Sequence, residues 1–341
     1  MAITMVFMGH GITLLHPLRV GVDLFFVLSG FLIGRIYLRG VAGENFSAFK
    51  FWESRWLRTI PPYLVALGFA ALANIHFQNS RIHLYYLLFL QNYLGIDGFT
   101  ISWSLCVEEH FYLALPLIGY VILRVWGRRS LLWLLPVFAL FPELFRLFDL
   151  YTNRLPTSWF FETHLHCEAL ILGVWLAYVF LDHPVLWRKL LMPAAFLAVI
   201  PLAMILMEEQ GVVLTPLLAI SLNALSALGY AGWLRWLYEV RWEPVAAAPR
   251  FLKSTVQGIA LASYSIYLLH ITLFPDIRAL IDNWPRGPIR TATIMGGTLI
   301  ISVLFYFLVE HPSIQFRDWY LKRRAAEAPR VPTVVSADPA A

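Results

Sequence analysis

The sequence predicts an all-α fold, a polytopic transmembrane bundle of about ten helices. Three observations carry this expectation. The 341 residues are 59% hydrophobic and only 14% charged, whereas a soluble domain carries about a quarter charged residues. Apolar runs near the length a helix needs to cross a ~30 Å hydrocarbon core recur along the chain. The breaks between them are charged or rich in Pro and Gly, and their basic residues are dense in every second break. One soluble core cannot bury this much apolar surface, but lipid lets apolar side chains face outward.

In chain order the runs fall near residues 1–15, 20–38, 60–77, 102–126, 131–148, 165–181, 190–207, 212–238, 254–280 and 289–310. The run from His83 to Leu94 is too short to cross alone and reads as a re-entrant or interfacial piece. With a cytoplasmic N-terminus, 19 of the 26 Lys and Arg residues fall inside and 7 outside. That bias supports an even number of spans and places both termini in the cytoplasm. Residues 1–322 then form one transmembrane domain, and the Ala- and Pro-rich stretch 323–341 reads as a disordered cytoplasmic tail. The net charge of +5 is explained by inside loops that meet anionic membrane lipid, so no nucleic-acid partner is expected. Cys106 and Cys167 both sit in apolar segments. They suggest neither a disulfide framework nor a metal site, and no metal is expected.

Ionisable groups inside spans are costly and mark candidate functional sites. In FMGHG, His10 can take a proton from a hydroxyl, because an imidazole titrates near neutral pH. The alternative is a histidine satisfied by a neighbouring carbonyl. In GVDLFFVLSGFLI, Asp23 lies at the outer start of a span, as a functional carboxylate or an N-terminal cap. Ser29 and Gly30 read as residues that allow close helix approach. In FWESRWLRTIPPYL, Arg55 and Arg58 are spaced i, i+3 on one helix face, with Pro61 and Pro62 following where the chain enters the membrane. Two such guanidinium groups can grip phosphates, and the alternative is plain anchoring to lipid headgroups. In SWSLCVEEHFYLALP, two adjacent carboxylates, Glu108 and Glu109, sit in an otherwise apolar span, with Tyr112 one turn after Glu108. Trp103 and Ser104 fall just outside it, near the outer interface. A snorkelling carboxylate is a poor account of a pair at this depth.

These segments, in this order and spacing, resemble the membrane-bound acyltransferase family 3 (the OafA/YrhL-like family). SYSIYLLH, Ser263 to His270, is similar to that family's late Tyr- and His-bearing helix, and VEHPSIQFRDW, Val309 to Trp319, to its closing segment. The resemblance covers the chain up to the tail. It implies about ten helices in a bacterial-type inner membrane. It also implies transfer of an acyl group, often acetyl, from acyl-CoA to a hydroxyl of a cell-envelope glycan, an exported polysaccharide or a lipid-linked sugar. It implies a catalytic role for His10, an R-x-x-R role for Arg55 and Arg58, and the glutamate of W-S-L-x-x-E for Glu108, with Glu109 the lesser member. The chain departs from the family pattern in HLHCEALILG, where His166, Cys167 and Glu168 stand in place of an arginine. A further family arginine, about a dozen residues before the first-helix histidine, falls ahead of Met1. The first apolar run is also short and carries no basic residue before His10, so the native protein is expected to start upstream.

The expected chemistry is acyl transfer from a thioester to a hydroxyl. His10 is the base, Glu108 orients it, and Arg55 with Arg58 binds the anionic acyl-CoA, with acetyl-CoA as the donor. Asp23, Trp103, Ser104 and Tyr112 support the substrate or the oxyanion. Direct transfer and an acyl-enzyme route are both open. The rival reading is a solute transporter, which would show two halves with matching interrupted helices. No such pairing stands out in the sequence.

Overall fold

The computed structural model describes residues 1–43, 46–73, 82–152, 161–189, 197, 199–210, 216–239 and 249–327. Among them the regular elements are helical and no strand occurs. The first helix, α1 (Ala2–Gly11), has ten residues and cannot cross a bilayer alone. A 3-10 segment, Thr13–Val20, leads into α2, Gly21–Ala42. Helix α3, Ala48–Ala73, begins well before the predicted start near residue 60, so Pro61 and Pro62 lie inside the helix. Proline has no N–H, so the carbonyls one turn earlier, on Leu57 and Arg58, lose their helical donors there.

The short piece after His83 does not span, as the sequence predicts. It is a 3-10 turn, Leu84–Leu88, followed by α4, Gln91–Leu94, with Phe89 between them at φ 55°. The buried Gln91 and Asn92 amides donate to the carbonyls of Ser102 and Trp103 at 3.3 and 2.8 Å. They tie this piece to the start of α5, Ser102–Val125. Helices α6 (Leu131–Phe138) and α7 (Phe141–Tyr151) follow, then α8 (Glu168–Asp182), α9 (Pro184–Lys189), α10 (Val199–Glu209) and α11 (Pro216–Glu239). The predicted span 254–280 is broken. Helix α12, Arg250–Leu261, has no buried residue, and it meets α13, Ser263–Leu280, at a 71° bend. Helix α14, Pro288–Phe305, continues through a π-turn, Tyr306–Glu310, into α15, His311–Glu327.

Five helices among the described residues are long and apolar enough to cross a membrane, or six if the bent pair counts as one span. The chain is therefore an integral membrane protein, and the expectation of about ten spans is met only in part. The shortfall has physical causes: α1 and α8 have only 10 and 15 residues, and α12 turns away from α13. Residues 190–196 and 198 of the predicted span 190–207, residues 74–81 and 153–160, and tail residues 328–341 lie outside the described residues. Arg146 is 1% exposed inside α7. It donates to Glu143 and Glu168 and to the Leu165 carbonyl.

Helices α2 and α8 cross with their backbones in contact. A Cβ on Gly30 would lie 2.1 Å from the Leu170 carbonyl oxygen, and one on Gly173 would lie 2.3 Å from that of Val27. The close-approach reading of Gly30 is correct, and Gly173 is its partner across the seam. This contact sets α2 firmly against the bundle, and its opposite side faces α3, α5 and α13.

Candidate active site

Those four helices line a half-open cavity of about 220 Å³. Its lining includes Ser29 from α2, Arg55, Arg58 and Thr59 from α3, Ser104, Glu108 and Tyr112 from α5, and Tyr264 and Tyr267 from α13. Phe25, Phe26 and Leu28 supply much of its apolar wall. Five residues singled out in the sequence, Arg55, Arg58, Ser104, Glu108 and Tyr112, thus meet in one space, although the chain between Arg58 and Ser104 passes through an unrelated non-spanning piece.

The two glutamates face different ways, because adjacent residues on a helix are about 100° apart. Glu108 faces the cavity beside Ser29 and Tyr112, with Arg58 as its nearby cation. Ser29 Oγ and the Tyr112 hydroxyl are 2.5 Å apart. Glu109 instead accepts from the Thr59 hydroxyl at 2.8 Å. The Thr59 carbonyl in turn accepts from the Tyr264 hydroxyl at 2.9 Å. Arg55 lines the cavity with a buried Nε that has no hydrogen-bond partner among the described residues, while Arg58 is exposed. Between them a buried donor and a solvent-facing guanidinium are left for an anion.

Ser104 and Tyr267 hydrogen-bond through their hydroxyls and close one side of the cavity. Ser104 and Trp103 are 3% and 8% exposed, so neither stands at an open interface. Behind Tyr267 lies His270, with ring centroids 5.7 Å apart. His270 Nε2 is 3.3 Å from His10 Nδ1. His10 therefore sits one side chain beyond the cavity wall. Its ring packs against that of His270, while Ser29, Tyr112 and Arg58 are neighbours of Glu108. Asp23 and Trp103 belong to a separate buried cluster. Asp23 Oδ1 is 3.1 Å from His166 Nε2, the Asn223 amide is 3.2 Å from His166 Nδ1, and Trp103 meets the His166 ring edge-on at 4.9 Å.

The family model described as an acyltransferase domain, acyltransferase-3, matches residues 1–307. The chain belongs to the acyltransferase-3 family. This acyltransferase-3 chain is similar to the O-acetyltransferase OatA of Staphylococcus aureus strain NCTC 8325, at 26% identity over 47% of the chain and 30% of that protein. It is also similar to the peptidoglycan O-acetyltransferase OatA of Listeria monocytogenes, at 30% identity over 31% of the chain and 20% of that protein. A putative O-acetyltransferase of Staphylococcus aureus strain COL matches at 27% identity over 47% of the chain and 30% of its own length. The chain thus spans less than a third of the length of these relatives. No solved structure matches it.

Sequence reasoning passed over several residues that the fold brings to this acyltransferase-3 site. Ser29 read as packing and lines the cavity. Thr59, Tyr264 and Tyr267 stood in quoted segments but carry no charge, so no chemistry was attached to them. His270 and Glu310 stood in the quoted segments SYSIYLLH and VEHPSIQFRDW. As ionisable residues inside spans they met the criterion that singled out His10 and Glu108.

Proposed function

We propose that this chain is an integral membrane O-acyltransferase that moves an acyl group, acetyl above all, from acyl-CoA to a hydroxyl of a cell-envelope or exported glycan or of a lipid-linked sugar. The observation that carries this reading is a single cavity lined by Arg55, Arg58, Glu108 and Tyr112, in a chain of the acyltransferase-3 family. The relatives named as O-acetyltransferases, one of them a peptidoglycan O-acetyltransferase, support acetyl as the group and a glycan as the acceptor. Both termini are cytoplasmic in this reading, in a bacterial-type inner membrane, with the donor taken from the cytoplasm and the acceptor met from the outer side.

Arg55 and Arg58 bind the phosphates of acyl-CoA by charge-assisted hydrogen bonds. The acceptor hydroxyl attacks the thioester carbonyl while His10 takes its proton. The C–S bond breaks, the new ester oxygen stays on the glycan, and the CoA thiolate leaves and recovers the proton from the imidazolium. Glu108 and Tyr112 stabilise charge and hydrogen-bond the reacting groups. Asp23 and Trp103 support the outer part of the bundle. The test is transfer of label from radiolabelled acetyl-CoA to glycan in membranes of cells expressing the chain. The expected result is transfer that His10→Ala and Glu108→Gln each lower by about a hundredfold or more. Undiminished transfer in His10→Ala would remove the base assignment.

A further inference from the structure

On α13 the residues Tyr264, Tyr267 and His270 recur every third position and so share one helix face. The first two line the cavity and the third lies beyond it, fully buried. The hydrogen bonds of His270 define which of its nitrogens carries the proton. Nδ1 lies 3.1 Å from the Ile266 carbonyl oxygen and 2.8 Å from that of Tyr267. A carbonyl only accepts, so the proton is on Nδ1, and Nε2 of the neutral ring is an acceptor. That acceptor faces His10 Nδ1 at 3.3 Å, which also lies 2.9 Å from the Val6 carbonyl oxygen. The Val6 carbonyl and His270 Nε2 both accept, so the His10 proton also resides on Nδ1. The basic nitrogen of His10 is then Nε2. Phe7 and Phe274 pack against His270 with ring centroids 6.3 and 5.8 Å away and against each other at 5.3 Å. This apolar wall keeps the pair of imidazoles in place.

We propose that His270 is a positioning residue for His10: its Nε2 accepts the His10 Nδ1–H and so fixes the tautomer and ring orientation in which His10 Nε2 receives the proton of the acceptor hydroxyl. The proposal rests on the reading of His10 as the base. On proton transfer His10 Nε2 gains the acceptor's proton, and Nδ1–H keeps the Val6 carbonyl and His270 Nε2 as acceptors, so the imidazolium forms without either of them having to turn. The logic is that of a base oriented by a third group, with an imidazole in the place usually held by a carboxylate.

The test uses membranes containing the full chain, radiolabelled acetyl-CoA as the probe, and the apparent kcat and KM for acetyl-CoA as readouts. His270→Leu removes the acceptor and is expected to lower kcat about tenfold to a hundredfold with an unchanged KM, the usual effect of losing an orienting partner. His270→Gln presents its Oε1 where Nε2 stands and is expected to stay within about threefold of the wild type, because only the acceptor matters. If His270→Leu fails to accumulate in the membrane, His270→Asn replaces it. Its amide keeps the carbonyl contacts but is too short to reach His10, and the same loss is expected. Wild-type kcat in the Leu or Asn variant, a raised KM at constant kcat, or a Gln variant as slow as Leu at equal abundance would each overturn the proposal. His10→Ala run in parallel separates the two levels. Full transfer in His10→Ala removes the base assignment itself, whereas loss there beside a normal His270→Leu removes only the role of His270.

Discussion

The Glu310 carboxylate holds the first turn of α13 by accepting two hydrogen bonds from Ser265, one from its backbone N–H at 3.1 Å and one from its hydroxyl at 2.5 Å. Glu310 is 1% exposed and closes the π-turn between α14 and α15. π-Turns concentrate at functional sites, and this one fastens the helix that presents Tyr264, Tyr267 and His270. The N-terminal turn of a helix has unsatisfied N–H groups and favours a nearby anion, so the contact answers both needs.

Glu310→Ala is expected to destabilise the protein by about 1.5–3 kcal/mol, the value of hydrogen bonds to a charged group. It should lower the midpoint of thermal aggregation of the detergent-solubilised protein and reduce transfer, because α13 loses its anchor. Glu310→Gln keeps one acceptor and should fall between. Size-exclusion profiles after heating, with the three proteins side by side, check the order.

The arginine pair should separate donor binding from chemistry. Arg55→Ala and Arg58→Ala are each expected to raise KM for acetyl-CoA about tenfold to a hundredfold, the equivalent of one charged hydrogen-bonding group, with smaller changes in kcat. Arg55 is the more sensitive of the two, because its Nε is buried without a partner among the described residues while Arg58 is exposed to solvent. Initial rates against acetyl-CoA concentration read this directly. An unchanged donor dependence in both variants reduces the pair to lipid anchors.

The α2–α8 seam tolerates no added atom. Gly30→Ala and Gly173→Ala would each drive a methyl group into a backbone carbonyl at 2.1 and 2.3 Å, and overpacking of this kind costs about 1–3 kcal/mol. Gly258→Ala meets nothing within 4 Å and should be neutral or stabilising by up to ~1 kcal/mol through helix propensity. Membrane abundance and thermal midpoints of the three variants check the contrast.

Topology is open to chemical labelling. Arg128 bridges Asp182 through two bonds of 2.5 and 2.9 Å and donates to the Leu38 carbonyl, so the ends of α2, α5 and α8 gather on one side. A cysteine placed at Arg129 is expected to resist impermeant maleimide in intact cells and to react after permeabilisation. Labelling from outside would reverse the proposed cytoplasmic orientation.

The sequence by itself determined the class of this protein and the residues worth watching. Span length and hydropathy are local quantities, so α5, predicted at 102–126 and observed at Ser102–Val125, was legible almost to the residue. The cost of an ionisable group in lipid is also local, and it picked out His10 and Glu108, while the i, i+3 spacing picked out Arg55 and Arg58, before any fold was known. Tertiary structure decided what those residues meet. The pairing of His10 with His270 joins positions 260 residues apart, and the chain between them gives no sign of it. The division of labour between Glu108 and Glu109 depends on which neighbour each side of α5 faces. Asp23 found His166 rather than the cavity. The Thr59 carbonyl accepts from the Tyr264 hydroxyl, joining α3 to α13 across 205 residues. Hydropathy is summed along the chain, whereas hydrogen bonds are directional and close across it. For that reason the membrane class is written in one dimension and the wiring of the site only in three.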